Sequence, residues 1–330
     1  MAGNFLVTGG AGFIGSHLVA ALMARGDRVV VLDNLSTGHR AAVPPGVTLV
    51  ELDLADPLDD LLAADRFDGV FHFAALSLVG DSMRDPDGYF AANVGNGQRL
   101  IAACVRHKIG KFVLSSTAAL FGTPDRIPIA EDDRIDPGSP YGESKRMLER
   151  MLHWAGEVHG LRSAALRYFN AAGADPDGRL GEDHRPETHL IPLAIDAVLG
   201  RRPPLALFGT DYPTPDGTCI RDYVHVADLA SAHLAAFDQL DAGSVTYNLG
   251  SEAGHSVRDV LASVERVGGR AVPHCVAPRR AGDPAILVAS AARIRQETGW
   301  APRFTALDDI VATAWAWRAA HPAGYESRAR

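Results

Sequence analysis

Two side chains suited to proton transfer stand one helical turn apart in the middle of the chain. Tyr141 and Lys145 belong to the segment YGESK, and residues four apart lie on one face of an α-helix. A phenol, with an ordinary pKa of about 10, is a poor base at neutral pH. A neighbouring ammonium favours the phenolate, and an oxidised nicotinamide adds a second positive charge. Two exposed residues of a surface helix have the same spacing, so the interpretation of this pair as a base beside a hydride acceptor depends on its surroundings.

Three hydroxyl side chains end a predicted strand upstream of this pair: Ser115, Ser116 and Thr117. In open α/β sheets, ligands bind beyond the carboxyl ends of the strands. One hydroxyl at this position can bond to a substrate hydroxyl and pass its proton to Tyr141, whereas the other two are expected to close the turn.

A glycine-rich turn at the start of the chain is suited to hold the hydride acceptor. Gly9, Gly12 and Gly15 lie in GGAGFIGS, between a predicted strand and the helix that begins with Phe13 and Ile14. Such glycines permit a tight turn, a close approach of backbone to a diphosphate, and close packing of helix on strand. The free N–H groups of the helix start then face the phosphates. This context predicts a dinucleotide site.

Acidic residues after the next two strands predict which dinucleotide binds. Asp33, followed by Asn34, stands where a carboxylate accepts both ribose hydroxyls of the adenosine, although a strand-end turn also favours these residues. A 2′-phosphate would meet a like charge there, so NAD is favoured over NADP, with nearby Arg40 as the one contrary feature. Asp53 and Leu54 are candidates to contact the adenine edge.

Short apolar strands alternate with helical stretches in the first half of the chain, which predicts a Rossmann-type, doubly wound parallel sheet. Strands are predicted at 4–9, 28–33, 47–53, 69–74, 111–116 and 162–168, and helices at 13–25, 87–107 and 141–157. After about residue 170, Pro and Gly interrupt the pattern, and a smaller mixed α/β domain is expected. We predict domains at 1–170 and 171–330, with the segment near 221–237 a candidate to pack back on the first.

Composition narrows the class of protein. The 330 residues carry a net charge of −8 with interspersed signs, which argues against a nucleic-acid partner. Neither an apolar run of membrane-spanning length nor a signal-peptide pattern is present, so a cytoplasmic protein without a membrane partner is expected. The three cysteines are expected to be reduced thiols. His184 and His189 stand five apart without a nearby cysteine, and no metal site is predicted.

Several further segments resemble the UDP-galactose 4-epimerase family of extended short-chain dehydrogenases. Besides GGAGFIGS and YGESK, they are DNL at 33–35, SSTAALFG at 115–122, LRYFN at 166–170, DYPTPDGTCIRDYVHV at 211–226 and APRRAGD at 277–283. The resemblance runs from about residue 4 to about residue 325, and the segment 211–226 is the most specific part of it. It implies an NAD-binding first domain and a UDP-sugar-binding second domain.

The resemblance also implies individual roles. Thr117 takes the family's Ser/Thr position, with Tyr141 as base and Lys145 beside it. The positions that correspond to cofactor contacts are Phe73, Ala74, Asn93 and Tyr168. The positions that correspond to UDP contacts are Asn170, Leu190, Ala206, Phe208, Arg221, Arg280 and Asp283. Two arginines can offset a diphosphate charge, and Phe208 can line a pocket for uracil.

Three positions depart from or vary within the family. Ser77 stands where some members have a lysine near the cofactor, and His189 replaces an asparagine at a phosphate-contacting position. Leu287 stands where bulk is associated with exclusion of N-acetyl sugars, and leucine is intermediate in size.

The resemblance implies an NAD-dependent isomerase that interconverts UDP-glucose and UDP-galactose through a 4-keto sugar, as a homodimer formed by helices near 87–107 and 142–157. Epimerisation of UDP-N-acetylglucosamine or UDP-glucuronate remains an alternative. The nearest rival is another NAD-dependent UDP-sugar-modifying enzyme, a dehydratase or a decarboxylase. Dehydration is disfavoured because Ala118 and Ala119 follow Thr117 where dehydratases have Asp-Glu. A non-catalytic NAD-sensing regulator is disfavoured because Tyr141 and Lys145 are both present.

Overall fold

The structure, a computed structural model, describes residues 2–280 and 283–328. Its strands are β1 (Asn4–Thr8), β2 (Arg28–Asp33), β3 (Thr48–Glu51), β4 (Gly69–His72), β5 (Lys111–Thr117), β6 (Arg162–Tyr168), β7 (Asn170–Ala172), β8 (Leu205–Phe208), β9 (Ile220–Arg221), β10 (Tyr223–His225), β11 (Val245–Leu249), β12 (His255–Ser256), β13 (His274–Ala277) and β14 (Ile286–Leu287). Its α-helices are α1 (Phe13–Ala24), α2 (Asp59–Ala64), α3 (Val79–Ser82), α4 (Pro86–Tyr89), α5 (Asn96–Arg106), α6 (Pro140–His159), α7 (Leu190–Val198), α8 (Val226–Gln239), α9 (Val257–Gly268), α10 (Ala292–Thr298) and α11 (Leu307–Ala320).

Seven parallel strands form the central sheet, in the order β11-β6-β5-β4-β1-β2-β3. The chain builds β1 to β3 outward in one direction and then returns to add β4 beside β1. The strand order therefore reverses between β1 and β4, and a crevice opens there at the carboxyl edge, which is where such sheets bind ligands. The predicted Rossmann-type fold is confirmed, and each of the six predicted strands is present within two residues of its expected ends.

Apolar layers cover both faces of the sheet, which explains the nearly continuous apolar runs of its strands. On one face, the core includes Leu18 of α1 together with Leu229 and Phe237 of α8. On the other face, it includes Leu100 of α5 and Leu148 of α6. The helix α8 and the strand β11 follow residue 170 in sequence, yet both pack into this layered unit.

Two features of the layered unit differ from a simple sequence-based expectation. The seventh strand, Val245–Leu249, was not among the predicted strands of the sheet. The single helix predicted over 87–107 is interrupted, because Phe90–Gly95 forms a π-helical segment between α4 and α5. The wider π turn inserts an extra residue per turn, and helical periodicity of apolar residues does not reveal it.

The remaining elements form a smaller mixed α/β part. Helices α7, α9 and α11 pack around a separate core that includes Ile195, Val264 and Val311. Short sheets join β8 to β13, β7 to β10, and β9 to both β12 and β14. The β9–β14 pairing sets Leu287 opposite Arg221. None of the helices in the described part of the chain has the length and apolar character that crossing a bilayer requires.

Substitution of Phe237 tests the packing between α8 and the sheet. Its ring lies 5.0 Å from that of Phe5 and 5.4 Å from that of Phe71. We expect Phe237→Ala to lower the free energy of unfolding by about 3–5 kcal/mol, because it leaves a cavity over three strands. Val276→Ala, at a position 63% exposed, should change it by less than about 0.5 kcal/mol. Urea unfolding followed by circular dichroism measures both, and equal losses would contradict this packing.

Candidate active site

The helix α6 presents Tyr141 and Lys145 at its first two turns. Its start is fixed by Ser139, whose hydroxyl accepts a hydrogen bond from the Gly142 N–H at 3.2 Å, and by Pro140 at the first helical position. Gly142 lies against the turn after β5, where a Cβ atom would come within 2.5 Å of a carbonyl oxygen. The helix start is thereby held close to the carboxyl end of β5.

Tyr141 is half-buried, and its phenol shares a hydrogen bond with the Thr117 hydroxyl. Burial raises the pKa of Tyr141, and the bond to Thr117 opposes that rise. Thr117 is the last residue of β5, and its Oγ1 also accepts from the Ala119 N–H at 3.1 Å. The predicted pairing of a strand-end hydroxyl with this tyrosine is therefore present in the structure.

The three hydroxyls at the end of β5 have three different partners. Ser115 Oγ bonds to the Tyr168 hydroxyl. Ser116 Oγ donates to the Glu149 carboxylate at 2.6 Å. Of the three hydroxyls, Thr117 is the one that bonds to the Tyr141 phenol. Residue type alone left the choice among the three open. Successive strand residues alternate faces, so Ser116 lies on the face opposite to Ser115 and Thr117, and Ser115 is distinguished from Thr117 by its own bond to Tyr168. The turn that the other two hydroxyls were expected to close is closed by Thr117, which accepts from the Ala119 N–H.

Lys145 is buried one helical turn after Tyr141. Its Nζ donates to the Ser115 carbonyl oxygen at 2.8 Å, and only 1% of the residue is exposed. Burial lowers the pKa of Lys145 to about 8, and the negative charge of Glu149 opposes that change. The lysine therefore keeps its proton at neutral pH while it ties α6 to β5.

A buried ion pair that the sequence analysis did not identify supports this lysine. Glu149 accepts from Arg167 Nε at 2.9 Å and from Nη2 at 2.6 Å, so the pairing is bidentate. Glu149 follows Lys145 by four residues, and this spacing was a readable signal in the sequence. Its partner on β6 was not readable, because 18 residues separate the two.

The glycine turn has the close contacts that the sequence predicts. Gly9 has φ +72°, and a Cβ atom there would lie 2.5 Å from the Ala74 nitrogen. A Cβ atom on Gly15 would lie 2.2 Å from the Gly9 oxygen. Gly12 precedes α1, whose start at Phe13 and Ile14 has neither a side-chain cap nor an acidic residue in its first turn. Its N–H groups are therefore available to an anion.

The carboxylates after β2 and β3 meet at one edge of this crevice. Asp33 accepts backbone N–H groups from Ala11 at 2.9 Å and from Leu35 at 2.9 Å. Asn34 Nδ2 donates to Asp53 at 2.6 Å, so these two predicted cofactor residues are in contact. Leu54, in contrast, is buried in the apolar layer of the sheet. Arg40, the one contrary feature, forms an exposed ion pair with Glu51.

The residues assigned to the cofactor by resemblance line the crevice in different ways. Asn93 is buried within the π-helical segment, and its amide bonds to both backbone groups of Leu76 and to the Ser144 hydroxyl. It thereby braces the loop after β4. The ring of Phe73 lies 4.9 Å from that of His233. Burial raises the pKa of Tyr168, which is held by Ser115.

The residues assigned to UDP fall into two groups. In the first, Asn170 Nδ2 donates to the Asp222 carbonyl oxygen at 3.0 Å. His189 is the N-cap of α7 and Leu190 is its first residue, and the first turn of α7 has no side-chain cap and no acidic residue. This second helix start therefore also has N–H groups available to an anion.

The second group brings distant segments together. Arg221 pairs with Asp283, and the Arg280 guanidinium lies 4.2 Å above the Phe208 ring. Ala206 lies on the same strand as Phe208. Leu287 packs against a small core that includes Leu120 and Phe121, directly after β5. These contacts connect β8, β9 and β14 to the end of the strand that carries Thr117.

One cluster near these residues was not predicted. The segment before α7 brings together Glu182, His184, Glu187 and His189. Burial lowers the pKa of His184, but hydrogen bonds to Glu182 and Glu187 outweigh it and raise that pKa to about 10. The pKa of His189 is raised as well: burial lowers it, but the charge of Glu182 outweighs the effect of burial.

Comparison with known proteins agrees with this architecture. Residues 5–250 match the model of the NAD dependent epimerase/dehydratase family. The UDP-glucose 4-epimerase of Azospirillum brasilense is 52% identical over 316 residues, which cover 94% of this chain and 91% of that protein. The enzyme of the same name from Lacticaseibacillus casei is 48% identical over 326 residues, covering 98% of each.

Solved structures are similar over nearly the whole chain. UDP-glucose 4-epimerase from Brucella ovis in complex with NAD has a TM-score of 0.93 and 46% identity, covering 96% of this chain and 98% of that one. The enzyme from Bifidobacterium longum in complex with NAD+ and UDP has a TM-score of 0.92 and 34% identity, covering 97% of this chain and 99% of that one. The chain therefore belongs to the NAD-dependent epimerase/dehydratase family, among the UDP-glucose 4-epimerases.

Proposed function

We propose that the protein interconverts UDP-glucose and UDP-galactose by inverting the configuration at sugar C4, with NAD as its bound cofactor. One observation carries the proposal: the Tyr141 phenol is bonded to Thr117 at the carboxyl end of β5, and Lys145, one helical turn after Tyr141, is buried and bonded to the same strand. The similarity to enzymes named UDP-glucose 4-epimerase over 98% of the chain supports the same reaction.

The glycine turn fits NAD on three grounds. Neither Gly9 nor Gly15 has room for a side chain, so backbone can approach a diphosphate closely. The start of α1 offers free N–H groups. The Asp33 carboxylate lies at the end of β2, where its charge disfavours a 2′-phosphate. When bound there, NAD supplies a hydride acceptor and donor for the sugar carbon.

The residues of the chain then handle the proton. Tyr141 takes the proton of the sugar 4-hydroxyl and, once the 4-keto sugar has turned over, returns it to the C4 oxygen, with Thr117 orienting the hydroxyl. The configuration inverts because the opposite face of C4 would then receive the hydride that bound NAD carries. Because burial raises the pKa of the Tyr141 phenol, the base form needs nearby positive charge. Lys145 supplies such charge at neutral pH, since its lowered pKa of about 8 still leaves it protonated.

The second group of residues anchors the nucleotide while the sugar turns over. Arg221 and Arg280 are the cations available to a diphosphate, and Asp283 accepts from ribose hydroxyls. Phe208, already covered on one face by Arg280, provides an aromatic surface for uracil. We infer that Leu287, which pairs in register with Arg221 and packs against the core directly after β5, borders the sugar rather than the base. The size of Leu287 bears on which sugars fit, and activity assays with UDP-N-acetylglucosamine and UDP-glucuronate measure this preference.

We also propose a homodimer through α6. Met147, Trp154 and Val158 are exposed by 37%, 57% and 67%, and their spacing places them on one face of that helix. Such a stripe of large apolar side chains is typical of a contact surface. It lies on the outer face of the helix that carries Tyr141 and Lys145 on its inner face.

Tyr141→Phe tests the base. We expect kcat for UDP-galactose to fall by about 10²- to 10⁴-fold, because the proton acceptor is removed while binding groups remain. Tyr247→Phe, whose lost hydroxyl bonds to Glu297 at the sheet edge, should keep kcat within about twofold. A coupled assay without added reductant measures both. Wild-type turnover in Tyr141→Phe would eliminate this mechanism.

Gly15→Ala tests the cofactor site. The new Cβ would press on the Gly9 carbonyl, so the helix start must move away from the diphosphate. We expect the dissociation constant for NAD to rise at least about tenfold, or about 1.4 kcal/mol. Gly110→Ala, with open space around its Cβ, should bind NAD as the wild type does. Calorimetric titration of NAD-stripped protein compares them, and unchanged affinity in Gly15→Ala would refute the assignment.

Trp154→Glu tests the dimer. A charge in the centre of the apolar stripe should shift the protein to monomers at micromolar concentration, whereas His159→Glu, exposed but about 140° away around the helix, should not. Sedimentation velocity reads the difference. A monomeric wild-type protein, or a dimer retained by Trp154→Glu, would rule out this surface.

A further inference from the structure

Four potential metal ligands converge in the segment that leads into α7. His184 Nδ1 lies 3.1 Å from Glu182 Oε1 and 3.8 Å from Glu187 Oε1. His189 Nδ1 lies 3.6 Å from the same Glu187 oxygen and hydrogen-bonds to the Glu182 oxygen. One nitrogen or oxygen from each side chain lies within 4.8 Å of all the others.

We propose that Glu182, His184, Glu187 and His189 bind one divalent transition-metal ion of the zinc class. Ligand bonds of about 2.0–2.2 Å in a tetrahedron place the ligand atoms roughly 3.3–3.6 Å apart. The separations between these nitrogens and oxygens lie on both sides of that value, so small side-chain movements complete the tetrahedron. Two imidazoles and two carboxylates suit zinc, whereas calcium and magnesium prefer oxygen ligands alone.

An unsatisfied carboxylate oxygen within the cluster points independently to a ligand. Glu187 Oε2 is buried without a hydrogen-bond partner among the described residues, whereas Glu187 Oε1 accepts from the N–H groups of Thr188 at 2.9 Å and His189 at 3.0 Å. The side chains of Glu182 and Glu187 are only 5% and 10% exposed. A buried carboxylate requires a compensating cation or a full set of donors, and a metal ion at the centre would provide the cation.

The other charges near the cluster leave this compensation incomplete. Arg318 Nη1 lies 3.7 Å from Glu187 Oε2, but the same guanidinium is paired with Asp196. Asp183 turns the other way, toward His39 and the Tyr325 N–H. Arg185 pairs with Glu326. Two buried carboxylates therefore face two imidazoles and one shared arginine.

Protons are the competing occupants of the site. Two imidazolium–carboxylate pairs would also neutralise the cluster, and they would hold both His184 and His189 through the same Nδ1 atoms. The metal and the protons exclude each other at those nitrogens, so zinc uptake must release protons. The two states are consequently distinguishable by direct measurement of bound metal.

The position of the cluster indicates what the metal does. The His184 ring lies 6.2 Å from the ring of Phe13, the first residue of α1, in an edge-to-face arrangement. His189 is the N-cap of α7. A metal held by both histidines therefore fixes the start of α7 relative to the glycine turn. Coordination through His189 Nδ1 also leaves the proton on Nε2, where it can be donated to a phosphate; this consequence alone rests on the proposed function.

Metal content is the primary test. NAD-loaded protein is treated with a chelator, dialysed against a zinc buffer, and analysed for metal by plasma emission. We expect one zinc per chain, and at least about a 100-fold weaker affinity in His184→Ala. His107→Ala is the matched control, because His107 pairs through Nε2 with exposed Asp59 outside the cluster, and it should retain the zinc. Zinc binding equal in wild type and His184→Ala would overturn the proposal.

Glu187→Gln covers the outcome in which His184→Ala does not fold, because it keeps the shape of the side chain and removes its charge. It should also lose zinc, while zinc should raise the melting temperature of the wild-type protein and chelation should reverse that rise. If the wild-type protein binds no metal and zinc does not change its melting temperature, the cluster consists of two ion pairs and the metal site is refuted. Epimerase activity is assayed separately with and without zinc: absence of activity in both states would contradict the proposed reaction and not the metal site.

Discussion

The buried ammonium of Lys145 is the constraint on which the candidate active site depends. A charged group removed from water is costly unless it is paired and hydrogen-bonded. Lys145 meets this requirement through the Ser115 carbonyl oxygen and through the nearby charge of Glu149. Glu149 lies on the same helix as Lys145, but the Ser115 carbonyl oxygen is a partner only while α6 lies against the carboxyl end of β5. The distance between Tyr141 and Thr117, which belong to those two elements, is therefore set by the same interaction.

The surrounding charges give this interaction a chemical consequence. Glu149 is shared between Lys145 and Arg167, and it also accepts from the Ser116 hydroxyl. One carboxylate thus faces two cations, which leaves one positive charge uncompensated within a largely buried site. Burial disfavours the phenolate of Tyr141, and a nearby positive charge would favour it. A phenolate one helical turn from Lys145 therefore has a cation that can stabilise it.

The sequence was sufficient wherever the chemistry depends on local spacing. The glycine turn, the strand ends and the four-residue separation of Tyr141 and Lys145 are all set within one or two elements, and the structure contains each of them. The sequence was not sufficient to predict contacts between distant segments. Arg167 meets Glu149 and β11 joins β6 through tertiary packing, which periodicity does not encode. The π-helical segment that carries Asn93 was not predicted for a related reason, because its apolar pattern is that of an ordinary α-helix.

The cluster around His184 and His189 is a further case in which the sequence alone did not predict contacts between side chains. Metal motifs are recognised in sequence by spacings that bring the ligands together on one helix face or in one tight turn. The spacing of residues 182, 184, 187 and 189 is typical of neither. Here the chain runs without regular structure before α7 and folds back on itself, so that both Nδ1 atoms face Glu182. The histidines were read from the sequence as independent side chains, whereas the structure makes them two sides of one buried acidic centre. A cation of some kind is then a physical requirement of that centre, and its identity, proton or metal, decides how rigidly the start of α7 is tied to the glycine turn.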